Sequence, residues 1–296
     1  MSWIFLVLAS HFSWAVENVY TKIVIGSRVK NPYVFLILIM ILSIVTVPFI
    51  PQRYIFVPTV WSIGGLLLAS VLYTLGSLPY IKAMEIEEVT RLNILWNTIP
   101  IFNLIIAWFL IGDKISIHEF IAMIFLISGA VLASIKSDQS TFRLSKAFWL
   151  MILACIFYAA YAVVIRFLSR ELSFYSIFFW VTLFNALMVL VCLFKNGVSK
   201  DLMATVKSGS KNFFLLFLVV VIISNIGTLF NQWVLSLKPG ALVYSFEGFQ
   251  VLFVFFLALL AAKIFPGFIA ESLDKKNLTI KFLAFLLIMV GLILLT

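Results

Sequence analysis

Ten runs of mainly apolar residues, each near the roughly 17–25 residues that a helix needs to cross a bilayer, leave this chain few ways to fold. They cover about 3–24, 33–50, 59–81, 87–111, 117–135, 147–168, 173–194, 212–236, 240–265 and 280–296. Strands are excluded, because open sheet edges cannot face lipid and the runs are continuous rather than alternating. The links are short and often hold proline, glycine or asparagine: Asn31-Pro32, Pro51-Gln52-Arg53, Gly112-Asp113-Lys114 and Lys238-Pro239-Gly240. The longest polar link, near 195–211, carries four lysines and reads as a solvated loop. The expected fold is an all-α integral membrane protein with ten transmembrane helices and almost nothing outside the bilayer.

Composition agrees with lipid as the solvent. Hydrophobic residues make up 64% of the chain and charged residues 11%, and the mean hydropathy is +1.18. Soluble domains sit nearer half apolar and a quarter charged, and disordered chains are more polar still. The net charge of +9 would suit nucleic acid if it formed an arm or a face. It does neither; basic residues punctuate the ends of the apolar runs, so the bilayer is the expected partner and nucleic acid is not. Cys155 and Cys192 lie inside apolar runs as small core residues, and His11 and His118 form no ligand cluster, so neither metal nor cofactor is expected. The start, Met1-Ser2-Trp3-Ile4, lacks the basic region of a signal peptide, and Glu17 follows in the first run, which reads as a retained helix. Enzyme signatures are missing too: no Gly-x-Ser-x-Gly, no His-Glu-x-x-His, no phosphate loop and no nucleotide-hydrolysing domain.

The runs fall into two related sets of five, 1–136 and 146–296. Segment 14–22, Trp-Ala-Val-Glu-Asn-Val-Tyr-Thr-Lys, pairs with 158–166, Tyr-Ala-Ala-Tyr-Ala-Val-Val-Ile-Arg. At a second offset Tyr73 and Tyr80 pair with Asn225 and Gln232, and Leu95 with Glu247. Ser116 and Thr279 open the last run of each set, followed by Gly129 and Gly291. Five is odd, so the second set must enter the membrane from the opposite side as an inverted repeat. Arg53, Lys114, Arg166, Arg170 and Lys238 fall on the side of the N-terminus, and the other 16 of 21 basic residues fall opposite. The positive-inside rule then places both termini outside the cytoplasm.

The stretch 81–135 carries Leu95-Trp96-Asn97-Thr98-Ile99-Pro100-Ile101-Phe102, the turn Gly112-Asp113-Lys114-Ile115-Ser116, and Ile127-Ser128-Gly129-Ala130-Val131-Leu132. It resembles the EamA domain of the drug/metabolite transporter superfamily. That family shows a Pro-Val/Ile-Phe, a Gly-Glu-Lys/Arg-Leu-Ser/Thr turn and a following glycine. Trp14 with Asn18 and Lys22 is similar to the family's opening pattern. The resemblance implies ten helices in two inverted repeats, and a central cavity lined mainly by the first, third, fourth, sixth, eighth and ninth. It also implies transport of a small metabolite. Asp113 replaces the family glutamate, the second half has Lys263-Ile264-Phe265-Pro266 where that motif would fall, and termini in this superfamily are usually cytoplasmic, against the charge count.

Ionisable groups inside membrane helices are costly and mark functional candidates. Glu17 shares a helix face with Ser10, Ser13 or Trp14, and Thr21; Glu247 lies in Tyr-Ser-Phe-Glu-Gly-Phe-Gln beside Gly248. Either could counter a cationic substrate group or carry a proton or another coupling ion, and either could be a packing carboxylate. Polar and aromatic rows surround them: Trp14 and Asn18 in the first run, Tyr73, Ser77 and Tyr80 in the third, Asn93, Trp96 and Asn97 in the fourth. Tyr161 follows in the sixth run, Asn225, Thr228, Asn231 and Gln232 in the eighth, and Gln250 in the ninth. These could line a substrate cavity or serve interhelical bonding alone. Pro100 leaves a carbonyl near Trp96 free for substrate, water or a hydroxyl. Glu87, Glu88 and Arg91 form a structural or gating ion pair at a helix start. The function expected is gradient-driven transport of a small organic metabolite, such as an amino acid, across the plasma membrane by alternating access, as monomer or homodimer. The alternatives are a multidrug or organic-cation exporter and, from another class, a receptor or scaffold without transport.

Overall fold

The computed structural model describes residues 3–111, 116–133, 145–238, 240–244, 246–264 and 275–295. The turn Gly112-Asp113-Lys114, Pro239 and Phe265-Pro266 lie outside the described residues. Among those described, all regular structure is helical: α1 (Trp3–Ser27), α2 (Pro32–Leu42), α3 (Val60–Ile86), α4 (Val89–Trp96), α5 (Ile99–Ile111) and α6 (Ile117–Ala133). Then come α7 (Lys146–Leu168), α8 (Phe174–Met188), α9 (Val198–Ser208), α10 (Lys211–Leu237), α11 (Gly240–Tyr244), α12 (Glu247–Ile264) and α13 (Lys275–Leu295). Short 3₁₀ stretches, Ser43–Phe49 and Val189–Phe194, extend α2 and α8.

Among the described residues, seven spans are long and apolar enough to cross a membrane: Pro32–Phe49, Val60–Ile86, Val89–Leu110, Lys146–Leu168, Phe174–Phe194, Lys211–Leu237 and Gly240–Ile264. Phe120–Gly129 and Leu278–Leu294 are shorter apolar helices. Helix α1 is long enough, but Ser10, His11, Ser13, Glu17, Asn18 and Thr21 dilute its hydropathy. The chain is a multi-pass integral membrane protein.

Local chemistry sets the helix starts. The side chain of Asn31 accepts from the Tyr33 amide with Pro32 in the first turn, and Thr59, Ser145, Ser173 and Ser210 accept from Ser62, Phe148, Ser176 and Phe213. Two ends are capped from outside. Lys22 Nζ donates to the Met84 and Glu87 carbonyls at 2.6 and 2.7 Å, and Arg166 Nη1 donates to the Leu235 carbonyl at 2.7 Å. Each cation therefore satisfies terminal carbonyls and meets the negative end of a helix dipole.

The stretch 195–211 differs from its expectation. It holds the helix α9, entered through Gly197 at φ 85°, a backbone region that favours glycine. Val198 and Leu202, one turn apart within the lysine-rich stretch, supply an apolar stripe that packs α9 on α2. Asn31 Nδ2 donates to Asp201 Oδ2 at 2.7 Å and ties the two helices together.

The bundle is built from antiparallel pairs. Helix α3 runs against α7, α1 against α10 and α6 against α13. In the last pair Gly129 faces Ala284 and Ile288, while Gly291 faces Ala122 and Leu126. Residue numbers rise along one helix as they fall along the other, and the glycines let the backbones approach closely. Two long apolar runs are broken in their first half. The run 87–111 divides at Asn97-Thr98, just before Pro100, and the run 240–265 divides between Tyr244 and Glu247. Thr98 Oγ1 donates to the Leu95 carbonyl at 2.9 Å, so a neighbouring hydroxyl serves the broken turn.

Candidate functional site

The breaks, the polar face of α1 and the aromatic rows converge on one cavity of about 130 Å³. Its walls hold Trp14, Glu17, Asn18, Tyr73, Tyr80, Trp96, Tyr161, Asn225, Gln232, Glu247 and Gln250. Asn93 and Asn97, also expected there, are not among the lining residues. They stand behind the wall, fully bonded in one case and backbone-bonded in the other. Helices α2 and α8 contribute walls that the resemblance did not imply, through Phe35, Met40, Phe178 and Asn185 among others.

Glu17, from α1, is half-buried, and its Oε2 accepts from Ser224 Oγ of α10 at 2.8 Å. Glu247 opens α12, where a carboxylate meets the positive end of the helix dipole. It is only 3% exposed, and its Oε2 has no hydrogen-bond partner among the described residues. His11 Nδ1 lies 3.6 Å from that oxygen.

Behind the cavity runs a chain of buried hydrogen bonds. Tyr80 Oη donates to Asn18 Oδ1 at 2.6 Å, and Asn18 Nδ2 donates to Asn93 Oδ1 at 2.8 Å. The same oxygen accepts from Gln250 Nε2 at 3.0 Å, while Gln250 Oε1 is 2.9 Å from His11 Nδ1. The carbonyl acceptor on Gln250 fixes His11 with its proton on Nδ1. Asn93 is therefore the hub that joins α3, α1, α4 and α12, with its own Nδ2 donating to the Val89 carbonyl at 2.9 Å. Asn97 Nδ2 donates to the carbonyls of Asn93 and Ile94, and its Oδ1 lies 3.8 Å from where a Cβ on Gly248 would be.

Aromatic rings form much of the remaining wall. Tyr80 and Trp96 have centroids 4.9 Å apart, Trp96 and Tyr158 5.2 Å, Tyr73 and Tyr158 5.4 Å, and Tyr73 and Tyr161 5.5 Å. Hydroxyls hold the rings in place: Tyr158 bonds Ser77 at 2.8 Å, and Tyr161 accepts from Gln232 Nε2 at 2.8 Å. Trp14 Nε1 donates to Thr228 Oγ1 at 3.3 Å. Asn225 faces the cavity but spends its amide on the Ser43 carbonyl and Thr46 Oγ1, at 3.3 and 3.1 Å, joining α10 to the end of α2.

Glu87, Glu88 and Arg91 lie away from this cavity, at the junction of α3 and α4. Arg91 Nε is 3.9 Å from Glu87 Oε1 and 3.3 Å from Glu88 Oε2, and Lys281 of α13 also pairs with Glu88 Oε2. Arg91, Glu87 and Lys281 are buried, so the pairs are shielded from water. Lys281 had no sequence signal tying it to this cluster. His11, Ser224, Tyr158 and Asn185 are further residues that reading the sequence did not place at the site. The i−4 and i−7 spacing of Ser10, Ser13 and Glu17 pointed to a functional face of α1, but nothing local places His11 against α12.

A multi-pass helical bundle around a polar, aromatic cavity has the form of a membrane carrier. Residues 1–135 match the EamA-like transporter family, which belongs to the drug/metabolite transporter superfamily. Members of that family are membrane transporters, not enzymes, and act on small molecules within the bilayer. No curated protein matches the chain. A solved crystal structure shares the fold with a TM-score of 0.64 at 16% identity, over 100% of this chain and 96% of that one.

Proposed function

We propose that this protein is a gradient-driven secondary transporter that moves a small organic metabolite across the plasma membrane by alternating access. The observation that carries the reading is the cavity itself: helices of the first 136 residues and of residues 146–296 wall it together, and each set contributes one carboxylate, Glu17 and Glu247. Rocking of one set against the other would expose such a cavity to each side in turn.

Reciprocal packing supports the two sets as inverted five-helix repeats within a ten-helix protein. Gly129 meets Ala284 and Ile288, seven and three positions before Gly291 on α13, and Gly291 meets Ala122 and Leu126, seven and three positions before Gly129 on α6. Gly76 of α3 faces Phe157 and Tyr158 of α7, while Gly227 of α10 faces Ser10 and Ser13 of α1. Lys22 and Arg166, paired in the sequence, each cap the third long helix of their own set.

A cavity of about 130 Å³ suits a metabolite of amino-acid size; drug-sized guests occupy roughly 300–1,000 Å³. That contrast argues against a broad multidrug exporter. Glu17 and Glu247, the two carboxylates of the wall, are the groups that couple transport to a proton or another ion in this reading. The test is flux of a labelled metabolite panel into vesicles holding the purified protein. Glu17→Gln and Glu247→Gln are each expected to abolish flux while expression and elution behaviour stay normal. Full activity in both variants would exclude a carboxylate mechanism, and absence of flux for every solute would favour a receptor or scaffold.

A further inference from the structure

The charges and unmet hydrogen bonds of the cavity wall are lopsided. Two carboxylates line it, Glu17 and Glu247, and no lysine or arginine is among its described lining residues. Three of the lining residues carry a buried oxygen with no hydrogen-bond partner among the described residues: Glu247 Oε2, Gln232 Oε1 and Asn185 Oδ1. Against them stands one buried donor in the same condition, Asn231 Nδ2. Buried polar atoms are paired in nearly all proteins, so a wall with a surplus of acceptors calls for a guest that brings donors.

The rings add a second, independent preference. Tyr73, Tyr80, Trp96 and Tyr158 form a contiguous cluster, and the hydroxyls of Tyr80 and Tyr158 are engaged with Asn18 and Ser77. What remains for a guest is the electron-rich π surface, which attracts cations. A guest carboxylate would find amide and hydroxyl donors only, with no cation to offset its desolvation.

We propose that the cargo of this cavity is a small protonated amine, held by Glu247 and Glu17 and by the surrounding rings. The inference rests on the transporter reading above and narrows its substrate class. An ammonium group supplies N–H donors for the carboxylates of Glu17 and Glu247, and its positive charge balances them where no lysine or arginine is among the described lining residues. The short hydrocarbon part of the amine lies against Phe35, Met40 and Phe178. A zwitterionic amino acid satisfies half of this wall and leaves its own carboxylate unmatched.

The test uses the full chain in lipid nanodiscs, with four small probes: n-butylamine, n-butanol, butyrate and alanine. Binding is read by calorimetry and by thermal stabilisation, since a ligand of the folded state raises its unfolding temperature. Butylamine is expected to bind at least tenfold more tightly than the other three. Glu247→Gln and Glu17→Gln should each weaken butylamine at least tenfold, while Glu247→Asp, which keeps the charge, retains most of the affinity. Butyrate or alanine binding as tightly as butylamine overturns the inference. So does unchanged butylamine affinity in Glu247→Gln. If a glutamine variant fails to elute as a folded species, the probe series on the unmodified protein and on Glu247→Asp decides the matter. Flux separates the two claims: butylamine that binds but never crosses sinks the transporter reading and leaves the amine site standing. Transport of alanine or butyrate without amine binding does the reverse.

Discussion

A Cβ placed on Gly129 would stand 2.6 Å from Ile288 Cγ1 and 2.9 Å from the Ala284 carbonyl oxygen. The second neighbour is backbone, so a larger residue must push α6 and α13 apart. Overpacking of this kind costs about 1–3 kcal/mol. Gly64 of α3 is the natural control, because a Cβ there meets nothing within 4 Å. Gly129→Val is expected to lower the thermal midpoint, and Gly64→Ala to hold or raise it by relieving the helix of about 0.5–1 kcal/mol of backbone entropy. Thermal unfolding in detergent compares the two; equal midpoints would mean that the α6–α13 contact yields easily. The same scale explains why the sequence gives His11 no functional place. One histidine in an apolar run reads as core, and its place beside Glu247 follows from the contact of α1 with α12.

Between single residues and the whole bundle lie the helix junctions. Where α3 hands over to α4, Lys22 caps the departing helix while Arg91 and Lys281 meet Glu87 and Glu88. Removing one partner of a buried ion pair costs about 3–5 kcal/mol, because the remaining charge keeps its desolvation penalty. Arg91→Ala is therefore expected to destabilise the protein by about 3 kcal/mol or more, and Arg91→Lys by less. Chemical denaturation followed by tryptophan fluorescence measures both, and an Arg91→Ala midpoint equal to that of the unmodified protein would remove the cluster from any structural role. The four-residue spacing of Glu87 and Arg91 made their pairing legible in the sequence. The third partner was not, since Lys281 reaches this junction only through the packing of α13. Helix α9 was missed for a related reason: four lysines mask two apolar residues one turn apart, and α2 supplies the surface that makes that small stripe worth burying.

At the scale of the whole molecule, the direction of insertion is a prediction of charge alone. With 16 of the 21 basic residues opposite the N-terminus, both termini are expected outside the cytoplasm. An alkaline phosphatase fused to the C-terminus, active only after export, should be active, and a fluorescent protein that matures only in the cytoplasm should stay dark. The reverse pattern overturns the orientation. The sequence by itself determined the solvent, the helical class, the approximate ends of each apolar run and the two carboxylates that stand out in them. Those properties depend on local hydropathy and on the cost of charge in hydrocarbon, which are read residue by residue. Tertiary structure alone decided that Asn93 stands behind the cavity as a hub, that Asn225 spends its amide on the end of α2, and that α2 and α8 close the walls. It also left Glu247 buried with an oxygen unmet. Those outcomes depend on which helix faces which, and that is settled by packing over the whole bundle, where no single segment carries the information.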